Sequence, residues 1–218
     1  MSDDGHAGNG DHDLVTGGAP AAAARVGVVP VHGRGGTPEG LLRLADEFYR
    51  PGVTFLAPSA DRGSWFPNAH DAPLSANEPH LTTAVDRVLS AVRAAGDIGL
   101  APSDIVFVGV SQGGCVVSET LLRRPERFGG AFVVSGALPG GDLSERRVDG
   151  DLEGTPVVLD CSDEDPYVSI DRVEATATVF REGGGAVEEH IDQGSGHGLS
   201  DAGIDRVGSH LETLLARS

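Results

Sequence analysis

Ile105-Val106-Phe107-Val108-Gly109-Val110-Ser111-Gln112-Gly113-Gly114-Cys115 decides how the rest of this 218-residue chain is read. Ile105 to Val110 is a continuous apolar run, the pattern of a strand buried on both faces. A helical stretch from about Gly114 to Arg124 follows it. Between the two lies Gly109-Val110-Ser111-Gln112-Gly113, a Gly-x-Ser-x-Gly pattern that means little alone in a chain with 32 Gly. The strand before it and the helix after it raise its weight. In so sharp a turn the residues on either side of the serine must lack side chains, which would strike the neighbouring backbone. The turn lifts the hydroxyl off the sheet and aims it at a helix N-terminus, where free N–H groups and the helix dipole favour developing negative charge. The competing reading is a Gly-rich turn with an idle serine.

Outward from this turn, short apolar runs alternate with helical patterns, which predicts stacked βα units and a mostly parallel sheet with helices on both faces, an α/β fold. The expected strands are Val26-Val31, Val53-Ala57, Ile105-Val110, Ala131-Ser135, Pro156-Cys161 and Val187-Asp192. A segment from about Asp13 to Thr16, closed by Gly18-Ala19-Pro20, is expected to add an antiparallel edge strand. Three helical faces are legible: Leu41, Leu44, Ala45, Phe48 and Tyr49; Leu81, Ala84, Val85, Val88, Leu89 and Val92; and Ile204, Val207, Leu211, Leu214 and Leu215. Residues 1–11 are Gly, Asp, Asn and His with almost no large apolar side chain, and the expectation is a disordered tail before a single domain over 12–218.

Composition narrows the classes further. No apolar run approaches the roughly eighteen residues of a membrane span. The start lacks the basic and apolar stretches of a signal peptide, so a cytoplasmic location is expected. The two cysteines, Cys115 and Cys161, sit in apolar segments and read as small buried side chains rather than a disulfide. The formal net charge is −17, and all 16 basic residues are Arg. So acidic a surface argues against nucleic acid and anionic membranes as partners. A GC-rich genome would replace Lys by Arg but would not double the acids over the bases, so a salt-adapted organism is expected. Molar NaCl should then raise the melting temperature by screening self-repulsion. A melting temperature indifferent to salt would favour genome composition instead.

A serine hydroxyl is a poor nucleophile at neutral pH and needs a base within hydrogen-bond reach and a third group to hold that base. In this class of fold the chain order is Ser, acid, His. His197 lies in Gly194-Ser195-Gly196-His197-Gly198, a flexible loop after the last expected strand and before the final helix. The remaining histidines precede Ser111, apart from His190 in a strand and His210 on a helix. The acids crowd into Ser162-Asp163-Glu164-Asp165-Pro166-Tyr167-Val168, after the strand Pro156-Cys161. The cluster shows where the acid lies without choosing it. Pro166 disfavours helix at Asp165 and fixes the backbone after it, which selects Asp165; Asp163 reads as capping or bridging within the loop, with a buried structural carboxylate preferred to a solvated one.

Six marks now stand in order: His32-Gly33-Arg34-Gly35-Gly36, Trp65-Phe66-Pro67, Asn77-Glu78-Pro79, Gly109 to Cys115, Asp165-Pro166-Tyr167-Val168 and Gly196-His197. From about residue 12 onward the sequence resembles the phospholipase/carboxylesterase branch of the α/β hydrolases, close to the dienelactone hydrolases and the acyl-protein thioesterases. The resemblance implies the α/β-hydrolase fold and a triad of Ser111, Asp165 and His197. It also implies an oxyanion hole from the backbone N–H groups of Arg34 and Gln112, and an acyl pocket near Trp65, with Phe66 beside it. Dienelactone hydrolases carry a cysteine nucleophile where this chain has Ser111, so a dienelactone substrate is disfavoured. The branch has a proline where Ser169 stands here, a change expected to affect only a helix start.

The activity so implied is hydrolysis of small carboxylic esters through a covalent acyl-enzyme, with no cofactor. Lysophospholipids and acyl thioesters are alternative substrates for the same triad, and a non-catalytic protein of the same fold that binds a small apolar ligand is the alternative from another class. Trp65 and Phe66 could equally be core. The Arg34 side chain could meet an anionic group, and His32 is expected to support the oxyanion loop. His70, Asp71, Glu78 and His80 carry ligand-type side chains but lack regular ligand spacing, so no metal site is expected.

Overall fold

The computed structural model describes residues 14–217. The expected tail at 1–11 lies outside the described residues. Seven strands form one sheet: β1 Leu14–Gly18, β2 Val26–Val31, β3 Val53–Pro58, β4 Ile105–Val110, β5 Gly130–Val134, β6 Pro156–Ser162 and β7 Ala186–Asp192, in the order β1-β3-β2-β4-β5-β6-β7. β1 runs antiparallel to β3 at one edge, and every other pairing is parallel. The helices are α1 Pro38–Ala45, α2 Leu74–Asn77, α3 His80–Asp97, α4 Gln112–Arg123, α5 Ile170–Glu182 and α6 Asp201–Leu215. Among the described residues no helix is long and apolar enough to cross a membrane.

The period-2 geometry of a strand sorts its residues between two cores. On β4, Ile105 and Phe107 join Leu81, Val88, Val116, Leu121, Val173 and Phe180 from α3, α4 and α5. Val106 and Val108 face the other way, to Ala45, Val207 and Leu211 from α1 and α6 and to Phe48. With both faces covered, the central strands are apolar along nearly their whole length, Thr54 of β3 excepted, which is why they are legible as continuous runs.

Helix starts follow local chemistry. Pro38 opens α1, and the Thr37 hydroxyl accepts the Gly40 N–H at 3.1 Å; Ser200 caps α6 in the same way, accepting from Gly203 at 3.1 Å. α1 stops at Ala45 and gives way to a tighter 3₁₀ turn over Asp46–Phe48, so Tyr49 leaves the predicted apolar face and is exposed. α4 begins at Gln112, two residues before the sequence suggested, because the turn at Ser111 is completed in one residue. Ser169 directly precedes α5, as expected of a change confined to a helix start.

The scarce arginines are used internally. Glu119 on α4 is fully buried and accepts from Arg123 at 2.6 Å and from Arg146, while Arg123 also reaches Glu78 at 2.6 Å. A buried carboxylate is tolerable only with such partners. Cys115 and Cys161 are both free and buried.

Candidate active site

Ser111 stands between β4 and α4 with φ 55° and ψ −120°, a conformation that costs a non-glycine residue energy and marks a constrained turn. Close packing holds it there. A Cβ on Gly109 would lie 2.6 Å from the Gly113 carbonyl, and one on Gly113 would run into the Val31 carbonyl. The Ser111 N–H donates to the Val134 carbonyl at 2.8 Å, tying the turn to the end of β5.

Three side chains from distant parts of the chain meet above this turn. The Ser111 Oγ lies 2.8 Å from His197 Nε2, and His197 Nδ1 lies 2.8 Å from Asp165 Oδ2. The Asp165 side chain has 0% exposure. Burial alone would raise its pKa, but the bond from His197 and the N–H groups of Tyr167 and Val168, donating to Oδ1 at 2.8 and 3.0 Å, hold it below the ordinary carboxylate value. Asp165 is therefore an ionised acceptor. His197 Nδ1 must then carry the proton, leaving Nε2 free to accept from the serine hydroxyl. Such a relay can strip the proton from Ser111 as it attacks. Tyr167, well exposed, sets its ring edge against His197 with centroids 4.8 Å apart.

Asp163 differs from its expected role as a buried carboxylate. It is exposed, and its Oδ1 accepts the Gly194 N–H at 2.7 Å, bracing the base of the His197 loop.

The Ser111 hydroxyl opens into a cavity of about 580 Å³ whose wall includes Arg34, Phe66, His70, Asp71, Gln112 and Tyr167. Gln112 is the first residue of α4, where N–H groups have no intrahelical acceptor. On the other side, Gly35 donates to Gly63 at 2.7 Å and Gly36 to Gly33 at 3.0 Å, so the loop is tied down immediately after Arg34.

The side chains of these two residues do something the sequence did not reveal. Arg34 donates to Ser64 Oγ and to the carbonyls of Phe66, Pro67 and Asn68 at 2.9 to 3.2 Å. Gln112 donates to the Phe66 carbonyl at 2.7 Å and accepts the Trp65 N–H at 3.0 Å. The Arg34 guanidinium is thus tied to the 64–68 loop through a hydroxyl and three carbonyl oxygens.

Trp65 also departs from expectation. It is 4% exposed and packed in the core, with Nε1 donating to the His32 carbonyl at 2.7 Å, so it backs the cavity wall instead of lining it. Its neighbour Phe66 does line the cavity. His32, buried, accepts the Ala60 N–H on Nε2 at 3.3 Å, which leaves Nδ1 to donate to the Gly33 carbonyl at 2.8 Å. Burial lowers its pKa, keeping it a neutral strut of the Gly33–Gly36 loop.

The four ligand-type residues between 70 and 80 do not converge: Glu78 is bound to Arg123 and Thr82, whereas His70 and Asp71 line the cavity. Among the described residues, no group of three or more His, Cys, Asp or Glu side chains could hold a metal.

Comparison with known proteins agrees with this architecture. A crystal structure described as a phospholipase/carboxylesterase from Dyadobacter fermentans is 31% identical, with a TM-score of 0.85 over 93% of this chain and 96% of that one. A rice (Oryza sativa subsp. japonica) protein described as a "probable carboxylesterase" is 28% identical over 159 residues, 71% of this chain and 59% of the relative, so the chain spans under two thirds of that protein's length. A second rice protein, described as a "probable inactive carboxylesterase", is 29% identical over 210 residues, 88% of this chain and 85% of its own. The family model described as Phospholipase/Carboxylesterase matches residues 19–215. With that match over most of its length, the chain belongs to the phospholipase/carboxylesterase family of the α/β-hydrolase fold.

Proposed function

We propose that this protein is a serine carboxylesterase that hydrolyses short carboxylic esters through a covalent acyl-enzyme, and that residues 12–218 form its single catalytic domain. The observation that carries the reading is the unbroken chain from Ser111 Oγ through His197 to a buried, ionised Asp165, with 2.8 Å at each link. In the first step His197 takes the hydroxyl proton as Ser111 Oγ bonds to the ester carbonyl carbon. The N–H groups of Arg34 and Gln112 receive the oxyanion, and the protonated imidazole passes its proton to the departing alcohol. Water, activated by the same imidazole, then attacks the acyl-enzyme and releases the acid with Ser111 restored.

The cavity favours short acyl groups over the long chains of lysophospholipids or acyl-protein thioesters. His70 and Asp71 sit in its wall, and a long alkyl chain laid against them would strip their hydration without replacing it. Burial and the nearby Arg172 lower the pKa of His70, so it presents a neutral, polar imidazole. Across a p-nitrophenyl ester series, kcat/KM should peak at acetate to butyrate and fall at least about tenfold by decanoate. A maximum at decanoate, or preference for a matched thioester, would move the substrate class to the longer alternatives. Because one relative is described as inactive, a binding-only role needs its own check. A fluorophosphonate probe should label Ser111 covalently, and a protein that stays unlabelled while hydrolysing no ester would be a binder.

A further inference from the structure

The end of β5 touches Ser111 and the residue that follows His197. The Val134 carbonyl accepts the Ser111 N–H at 2.8 Å, and the hydroxyl of the next residue, Ser135, accepts the Gly198 N–H at 2.9 Å, one residue beyond His197. Ser135 is 2% exposed and has φ 46°, so it is bent out of the strand at the point where the sheet ends, and its own N–H donates to Asp160 at 2.7 Å. The turn packs directly against the backbone of the nucleophile. A Cβ on Gly136 would lie 2.9 Å from the Ser111 carbonyl. Besides the His197–Asp165 bond, the loop is held at its two ends, where Asp163 takes the Gly194 N–H, the Gly194 carbonyl accepts the Glu164 N–H at 3.0 Å, and Ser200 meets Asp192 at 3.2 Å.

Resting on the esterase reading above, we propose that Ser135 is a positioning residue: its hydroxyl anchors the His197 loop to the same strand end that anchors Ser111, and so sets the Ser111–His197 separation. A left-handed backbone at a buried serine is unfavourable, and its presence here fits a site where stability is given up for geometry. The anchor acts on the chemical step, since a displacement of the base on the order of 1 Å is enough to cost about 10²-fold.

Ser135→Ala and Ser135→Gly, each measured with p-nitrophenyl acetate, separate this role from a structural one. Both lose the acceptor, and both should lower kcat by about 10- to 100-fold with KM within about twofold. Glycine also accepts the positive φ without strain, so Ser135→Gly should keep or raise the melting temperature while losing turnover. In a His197→Ala background, Ser135→Ala should have no further effect on the residual rate, because the anchor works only through the imidazole. Wild-type kcat in Ser135→Gly, a fall in melting temperature in both variants that parallels the fall in kcat, or an undiminished Ser135→Ala effect without His197 would each overturn the proposal. A wild-type protein inert towards the ester would instead overturn the esterase reading and this inference with it.

Discussion

Ser111→Ala is expected to lower ester hydrolysis by about 10⁴-fold or more while the protein stays folded, with what remains coming from substrate binding and the oxyanion donors. The size of the loss follows from covalent catalysis. Without the hydroxyl there is no acyl-enzyme, and His197 has no bound nucleophile to activate. The fold should survive because the elbow is held by its backbone: the Ser111 N–H still reaches Val134, and its carbonyl still accepts from Cys115 at 3.1 Å. Alanine at φ 55° carries the same kind of strain as serine, and the one side-chain bond lost is that to His197. Turnover of p-nitrophenyl acetate, read beside a melting curve, checks both halves. A folded variant with wild-type turnover would end the serine-esterase reading.

Asp165→Asn should cost kcat on the order of 10³- to 10⁴-fold, because an amide can donate to Nδ1 and hold the imidazole in the wrong tautomer. The bonding around the Asp165 carboxylate is arranged for an anion, with two backbone N–H groups on one oxygen and the imidazole and the Cys161 thiol on the other. Its depressed pKa also carries a stability consequence whose sign is set by linkage. The contribution is complete above the unfolded value of about 4 and is lost as the pH falls through the lower folded value, so acid unfolding should begin at higher pH in Asp165→Asn. Asp163→Asn offers the contrast. Its Oδ1 accepts one exposed N–H, which an asparagine oxygen can still do, so turnover within about threefold and stability within about 0.5 kcal/mol are expected. If Asp163→Asn were folded and nearly inactive while Asp165→Asn matched wild type, the acid would be Asp163.

The two aspartates also show how far the sequence could be read. Pro166 constrains the backbone beside Asp165 whatever surrounds it, so that choice could be argued from neighbours alone. The exposure of Asp163 could not, since it depends on how the 193–200 loop lies relative to the end of β6. Similar limits apply to the fold. β2, β3 and β4 were legible because a strand covered on both faces must be apolar along its length, whereas the edge of β5 was displaced by one residue because Ser135 turns into the left-handed region. α5 shows in the sequence only as a helix start at Ser169, without a legible apolar face: its buried residues are Val173, Thr176, Ala177, Val179 and Phe180, among which two small or polar residues dilute the apolar period. Trp65 and Phe66 were read as a pair, but adjacent residues of a loop point in different directions, and only Phe66 reaches the cavity. The grip of Arg34 and Gln112 on the 64–68 loop joins residues 30 to 48 positions apart, and no local pattern signals a contact of that span.

That grip separates two properties an engineer would wish to change independently. In the proposed mechanism Arg34 and Gln112 would offer the chemistry only their main chains, which any non-proline residue supplies, while their side chains converge on one carbonyl, Phe66, and so fix the cavity wall. Libraries at positions 34 and 112 would therefore leave the reacting carbonyl's donors in place and let the wall drift. If the proposed esterase activity holds, acceptance of bulkier esters should be adjustable from the two sites that look, by their proposed backbone role, the least permissible to touch.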